Sequence, residues 1–441
     1  MNSDLHLRMA SAVFGMMLAT GLAAEPTWRS VADMSAEDKA LFDPASATPR
    51  DASIPYLPAE TYPFQAPYTA EEMGFRAAEF PHISRWTHAL NDVYGVITSS
   101  GYINQGSAVS YVEQTTGPGL DGYMRGIAAG DVHSKWLMYS KFPPETEAEQ
   151  QLWLVYRTDP KFTTKMDFFV YSPQMRRVRR QPQPRRDQRF PDNAQTFDDV
   201  IGRDPWEMEW QLLGTDVLHE TVRYPSTRAS IVLNRNNQSF VEEKTSDIRV
   251  MGAEYPHYRS DGGVDCWVVM ARIKPEMVPD YNEKYLIFWL DKHYFYPIRT
   301  EKYDHQDKLM MVEVRNPRLE NPAMPEGFGY SASVTVYWDV NHDIMSYSMH
   351  DGNEAVTWTE EQKAMLFTPE FMRRQWLVKP VKTQVLIQNP DEYFMRPHLD
   401  REKFPDVRHI AISPELEARI AAQDSAGHLV FDTASAPAGG E

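Results

Sequence analysis

Four apolar β-type runs follow one another between Val264 and Val314, and this ladder limits the fold more than any other stretch of the chain. Val264–Ile273, Tyr285–Leu290, Pro297–Tyr303 and Lys308–Val314 are joined by Lys274–Lys284, Asp291–Tyr296 and Asp304–Asp307, links short enough for an antiparallel meander. Strands linked in this way pair as neighbours. In Pro297–Tyr303, Ile298, Thr300 and Lys302 alternate with Arg299, Glu301 and Tyr303, the period of a strand with one wet face. Tyr285–Leu290 is apolar throughout and must be covered on both faces, by core on each or by core on one and a ligand, helix or partner on the other.

A chain of 441 residues that is 42% hydrophobic can bury a large core, as one β-rich domain or several smaller ones. Its formal net charge of −17 argues against general polyanion binding, nucleic acid included. Residues 1–24 read as a secretory signal peptide: Arg8 precedes the apolar Met9–Leu22, and Gly21-Leu22-Ala23 or Leu22-Ala23-Ala24 offers a cleavage site. No later run reaches the roughly 18 apolar residues of a transmembrane helix. Cys266 is the only cysteine, which leaves no intrachain disulfide and no cysteine zinc site, and its setting is that of a buried strand residue rather than a reactive thiol. An exported chain without disulfides fits a Gram-negative periplasm.

Residues 25–68 are rich in proline and acid and read as an extended amino-terminal wrap, with a capped helix beginning at Ser35. A single β-rich domain with helices then spans 69–430, before a small, polar, disordered tail at 431–441. Thr69-Ala70-Glu71-Glu72 caps a helix to about Ala78. His82–Tyr94 presents Ile83, Trp86, Leu90 and Val93 as the stripe of a further helix. Leu152–Tyr156, Met166–Tyr171, Ile231–Leu233, Phe240–Glu242 and Tyr330–Val340 read as strands, and Met175–Arg180 as an edge strand. Trp206–Leu213 reads as a half-buried strand ended by Gly214-Thr215-Asp216, with Glu207 and Glu209 sharing its wet face. Helices are expected from Thr359 to about Leu377, interrupted at Pro369, and from Ser413 to about Gln423.

Arg176, Arg177, Arg179 and Arg180, with Arg185, Arg186 and Arg189, make residues 175–190 basic within an acidic chain. One account pairs them internally with the acidic amino-terminal wrap. The other makes them a docking patch for an anionic lipid headgroup, lipopolysaccharide or an acidic partner.

The stretches Phe169–Pro173 with Arg176–Arg180, Asp198–Trp210, Tyr255–Val269, Tyr296–Arg299 and Tyr303-Asp304, taken in that order, resemble the domain-of-unknown-function family numbered 1329, periplasmic proteins described as outer-membrane-lipoprotein-sorting-like. The resemblance covers much of 150–350. It implies a mainly β, α+β fold: a large curved antiparallel sheet forming an incomplete barrel, with helices covering or plugging its concave face. It also implies partnership with a proton-driven export pump or an outer-membrane protein. The family offers no established catalytic residue to carry over.

The residues themselves offer little chemistry. There is no phosphate loop, metalloprotease helix or nucleophile elbow. Asp339–Asp343 reads as a polar turn rather than a metal loop, and His293 and His305 as solvent-facing loop residues. No cofactor, metal or catalytic residue is expected. The first expectation is a non-catalytic carrier or chaperone for a lipid-like molecule, in which Trp153, Phe168, Trp206, Trp210, Tyr285, Phe288 and Trp289 line an apolar cavity and the helix at His82 or Thr359 is its lid. It would touch membrane surfaces only transiently. The alternatives are an interaction or sensor module whose cavity is filled by its own helices, and an exported hydrolase.

Overall fold

Most strands follow the alternating runs of the sequence. The structure, a computed structural model, describes residues 28–43, 48–53, 55, 57–59, 64–79, 88–98, 103–114, 127–142, 144–190, 193–218, 230–234, 240–244, 263–292, 295–319, 330–355, 360–373, 385–386 and 408–409. The signal peptide, His293 and the helix expected at Ser413 lie outside these residues. The strands are β1 (Arg29–Ser30), β2 (His88–Thr98), β3 (Ile103–Gln114), β4 (Val132–Phe142), β5 (Gln150–Tyr156), β6 (Met166–Ser172), β7 (Arg177–Arg180), β8 (Met208–Leu218), β9 (Ser230–Asn234), β10 (Phe240–Lys244), β11 (Val264–Ile273), β12 (Glu283–Asp291), β13 (Pro297–Asp304), β14 (Leu309–Leu319), β15 (Tyr330–Asp339), β16 (Ile344–Ala355), β17 (Val385–Leu386) and β18 (Arg408–His409). The helices are α1 (Ala36–Ala40), α2 (Ala70–Glu79), α3 (Phe197–Ile201) and α4 (Glu360–Leu366).

Fourteen strands form one antiparallel sheet in the order β1-β8-β11-β12-β13-β14-β15-β16-β2-β3-β4-β5-β6-β7, while β9–β10 and β17–β18 pair separately. The ladder from β11 to β14 is the expected meander, with Val268 opposite Trp289 and Phe288 opposite Thr300. The sheet bends so that its ends approach at one rim: in the link between β5 and β6, Thr158 Oγ1 donates to Asp204 Oδ2 (2.7 Å) and Lys165 Nζ pairs with Asp204 Oδ1 (2.9 Å), just ahead of β8. No strand pairing joins β7 to β1, so the barrel stays open. The expectation of an incomplete barrel with helices on its inner face is met.

Because the pleat alternates, the register assigns every side chain to one of two faces. The inner face carries α2 over Trp210, Leu212, Val269 and Phe288 at one end, and α3 over Trp153 and Phe168 at the other. Between these ends it is polar, with Lys302 and Glu313 buried on adjacent strands. The outer face packs Val268, Ile287 and Trp289 against Tyr296 and Trp28, and Val109, Leu137 and Leu152 against α4 and Phe371. Tyr285–Leu290 is thus covered on both faces, and on the inner one a helix is the cover.

Both expected amino-terminal caps form. Ser35 Oγ accepts the Asp38 amide (3.0 Å), and Thr69 and Glu72 exchange amide bonds of 2.9 and 3.2 Å.

Other expectations fail for local reasons. The helix expected over His82–Tyr94 is instead strand β2 from His88 onward; its long β-branched and aromatic run pairs on both sides, with β16 and β3. Gly214–Asp216 does not end a strand. β8 runs through it with a bulge opposite Val268 and Val269, and a Cβ on Gly214 would lie 1.8 Å from the Arg29 carbonyl oxygen of the crossing β1. α4 ends at Leu366, ahead of Pro369, and lies on the outer face, so it is no lid for the inner one. β13 has no wet face: Thr300 and Lys302 are buried, and the opposite side is half-buried.

Candidate functional site

The residues between β7 and β8, 181–190 and 193–207, run as a strap across the inner face from one end of the sheet to the other. Ala194 donates its amide to Ser346 Oγ (2.6 Å) on β16, and Gln195 reaches the Tyr337 hydroxyl (3.4 Å) on β15. Arg189 pairs with Asp339. The strap then turns into α3 behind a Thr196–Asp199 capping box. Phe197 and Ile201 face the aromatic end of the sheet, with Phe197 5.9 Å from Phe168, while Asp198 and Asp199 point at cations.

Two of those cations, Arg186 and Arg203, come from the strap itself, and the third, Lys302, from β13. Arg186 holds Asp198 at 2.8 Å and grips both oxygens of Glu207 at 2.7 and 2.6 Å. Lys302 pairs with Asp199, and Arg203 bonds Glu283 (3.0 Å) and the Tyr281 hydroxyl (3.1 Å), which itself donates to Asp198 (2.6 Å). Burial would raise the Asp198 carboxyl, but Arg186 and Arg203 outweigh it and hold the group below the ordinary carboxylate range. Burial likewise opposes ionisation of Asp199 and is overcome by Lys302 and Arg203. The same partnership runs the other way for Arg186, whose burial is overcome by Asp198 and Glu207, so that it stays charged.

Between the strap, α2 and the sheet lies a cavity of about 50 Å³. One wall is apolar, made by Ala77 and Ala78 of α2 with Met208, Trp210, Phe288 and Pro297; the other is charged, made by Asp198, Asp199, Arg203, Glu313 and Arg315. Glu313 and Arg315 bond each other at 2.6 Å across this wall. One water needs about 10–15 Å³ of such space, so the cavity as it stands holds a few waters and is well short of the roughly 150 Å³ that takes a benzene.

α2 is held over the apolar wall mostly by nonpolar packing. Met73, Phe75 and Ala77 are buried, Phe75 lies 6.3 Å from Trp206, and Gly74 comes so close to Trp210 that a Cβ would lie 2.0 Å from the indole. Arg76 stacks on Phe295 at 4.2 Å, and Arg50 pairs with Glu71 at the exposed edge.

Of the aromatic residues singled out from sequence, the structure brings only Trp210 and Phe288 to this cavity, with ring centres 5.8 Å apart. Trp206 is buried beside them and donates to the Thr158 carbonyl (2.8 Å). Trp153 and Phe168 pack together at 5.8 Å beneath α3, and Tyr285 and Trp289 lie on the outer face, the first stacked on Tyr303 and the second bonded to Asp216 (2.9 Å).

Glu207 and Glu209 do not share a face. A 3-10 turn at Pro205–Glu207 buries Glu207 against Arg186, whereas Glu209 is exposed on β8. The basic stretch does not pair with the amino-terminal wrap among the described residues. Arg180 pairs with Asp167, Arg185 with Asp187, Arg186 with Asp198 and Glu207, and Arg189 with Asp339. Asp339–Asp343 is the polar turn expected, with Asp339 accepting the amides of Asn341 and His342. His305 is exposed, with Nε2 2.8 Å from the Tyr281 carbonyl, and Cys266 is fully buried.

The model of DUF1329, a family of proteins of unknown function, matches residues 58–373, the span that holds the strap, α2 and the whole meander. The chain belongs to the DUF1329 family. Among solved structures it is similar to a DUF1329 family protein from Desulfovibrio piger (14% identity, 68% of this chain and 97% of that one, TM-score 0.45). It is also similar to a Vibrio parahaemolyticus domain assigned as an outer membrane lipoprotein-sorting protein (13%, 69% and 100%, 0.46) and to a LolA superfamily protein from Nitrosomonas europaea (10%, 69% and 99%, 0.41). No curated protein matches the chain.

Proposed function

We propose that this DUF1329 protein is a periplasmic, non-catalytic carrier or chaperone for a lipid-like molecule, with α2 as the lid over its binding surface. One observation carries this: the cavity at the apolar end of the inner face is closed by a helix whose contacts a hydrocarbon can replace. Each fully buried large apolar side chain is worth roughly 1.5–3 kcal/mol, so Met73 and Phe75 together hold α2 by about 3–6 kcal/mol. At about 0.8 kcal/mol per buried methylene, a chain of roughly four to eight methylenes matches that. Longer acyl chains win. The charged wall at Arg203 and Arg315 then meets the polar end of the guest.

In this proposal the amino-terminal 24 residues direct export, residues 25–68 wrap the body, and an export pump or outer-membrane component gives or takes the cargo. Trp210 and Phe288 touch the guest, and Trp153, Trp206 and Phe168 support the fold around it.

The small size of the cavity favours a second reading, an interaction module whose inner face is permanently filled by α2 and the strap. Two measurements separate them: organic extraction of the purified exported protein followed by mass spectrometry, and displacement of bound 1-N-phenylnaphthylamine by fatty acids of increasing length. A carrier yields co-purified lipid and a displacement that begins above about eight carbons. No lipid and no probe binding at any length would sink the carrier.

A further inference from the structure

The hairpin between β6 and β7 stands at the free edge of the sheet and carries a combination that neither packing nor edge protection explains. Charged residues on a short edge strand are an ordinary defence against strand pairing, and the arginines of β7 alone need no other reason. Met175 is different: at the tip of this hairpin it is 49% exposed, the more exposed of the two large hydrophobic side chains that lie more than a third in solvent among the described residues. Arg176 beside it has φ +49°, a left-handed position that glycine or asparagine occupies at lower cost. A cation kept at a strained site next to a bared apolar tip points to a surface that rewards both.

Asp167 takes Arg180, while Arg176, Arg177 and Arg179 are exposed, with Arg179 donating to Met175 Sδ (3.6 Å) and so gathering at the tip. An acidic protein strand added to β7 would use the arginines but leave Met175 in water. An anionic bilayer uses all of them, the cations at the phosphates and the thioether just below.

We infer that the β6–β7 hairpin is a membrane-docking foot that binds bilayers containing anionic phospholipid, with Met175 inserted and Arg176, Arg177 and Arg179 at the headgroups. This does not depend on the cavity. The chain's acidic remainder is screened beyond roughly 8 Å at physiological salt, so a local basic tip can act against it.

The test labels Met175→Cys with an environment-sensitive nitrobenzoxadiazole dye. Cys266 is buried and stays unlabelled. Vesicles of phosphatidylcholine with about a quarter phosphatidylglycerol should bind the protein and shift the dye emission to the blue, whereas pure phosphatidylcholine should not. Replacing Arg176, Arg177 and Arg179 by Gln should weaken binding by roughly a hundredfold, about fivefold per arginine, with the circular dichroism unchanged. The unlabelled Met175→Ser protein should bind several-fold more weakly. Absence of a blue shift, or equal vesicle binding by the triple variant, overturns the foot. Retention on an acidic protein or on heparin without any dye shift on vesicles assigns the patch to a soluble partner instead. Fatty-acid displacement, which reads the cavity, is indifferent to these variants, so each idea can fail alone.

Discussion

α2 and the Asp198–Arg203 segment of the strap cover one face of one sheet by opposite chemistry, while Phe197 and Ile201 of the same strap pack apolar surface at the far end. α2 sits on Trp210, Phe288 and Val269 through Met73 and Ala77, contacts that any hydrocarbon can substitute. The strap sits on Lys302, Glu283 and Tyr281 through Asp198, Asp199 and Arg203, contacts that nothing apolar can substitute. Lifting α2 would expose apolar surface that a guest of the proposed kind could cover. Lifting the strap strands buried charges, each of which costs several kcal/mol without its partner. In the carrier proposal this difference makes α2 the part that opens and the strap the part that holds the half-barrel in shape.

The sharpest way to break that comparison is to remove one member of the strap's ion pairs. Lys302→Met leaves Asp199 buried without its closest cation and should destabilise the protein by about 3–5 kcal/mol in urea unfolding. Adding Asp199→Asn should recover much of this, because the cost lies in the orphaned charge. A loss under 1 kcal/mol for Lys302→Met would mean that the strap is as dispensable as α2.

The second largest effect is acid sensitivity confined to the strap end. Burial, opposed by Asp204 and reinforced by Lys165 and Arg157, pushes His133 down to about 3 from its usual 6.5. Its folded pKa is depressed, so below pH 6.5 the unfolded chain takes a proton that the native protein refuses, and stability falls as the pH drops. Above 6.5 this contribution is complete. Between pH 6.5 and 4.5 the loss should be about 2–3 kcal/mol, at about 1.4 kcal/mol per unit. The slope should be absent in His133→Gln. Hydrogen exchange at pH 5 should quicken in residues 186–207 and leave 70–79 unchanged; the reverse pattern would interchange the two roles.

The two ends also differed in how legible they were. The meander and α2 could be anticipated, since period-two alternation and a Thr69–Glu72 capping box are local signals that tertiary packing confirmed, whereas the incomplete barrel was implied only by the family resemblance. The strap could not. Its basic half offered only a docking patch or pairing with the amino-terminal wrap, and a partner that buries Asp199 is remote: Lys302 lies 103 positions away. One faint signal was present in Lys302 itself, a lysine on the strand face that also carries Ile298 and Thr300, which demands a carboxylate if that face is buried. β2 was misread because Ile83, Trp86, Leu90 and Val93 satisfy a helical stripe while Val93, Val96 and Ile97 satisfy a strand, and pairing with β3 and β16 decides between them.

At the α2 end, the closest contact offers a smaller test. A methyl group added at Gly74 would overlap the Trp210 ring, so Gly74→Ala should push α2 outward at a cost of roughly 1–3 kcal/mol. If α2 is the lid, this loss is in the closed state, and 1-N-phenylnaphthylamine should bind more tightly to the variant than to the parent. Weaker binding would make α2 part of the binding wall.

The smallest expected effect concerns the hairpin foot, which belongs to neither end. Arg176→Gly removes the clash of a Cβ in the left-handed region, worth about 1–2 kcal/mol, and adds roughly 0.5–1 kcal/mol of chain entropy to the unfolded state. The net change should be a stabilisation of between zero and about 1.5 kcal/mol, read as a small rise in the urea midpoint. Binding to anionic vesicles should meanwhile fall by about fivefold. A variant that is more stable yet docks less well is what a residue kept for its charge predicts, and a variant that is less stable would make Arg176 a structural part of the turn.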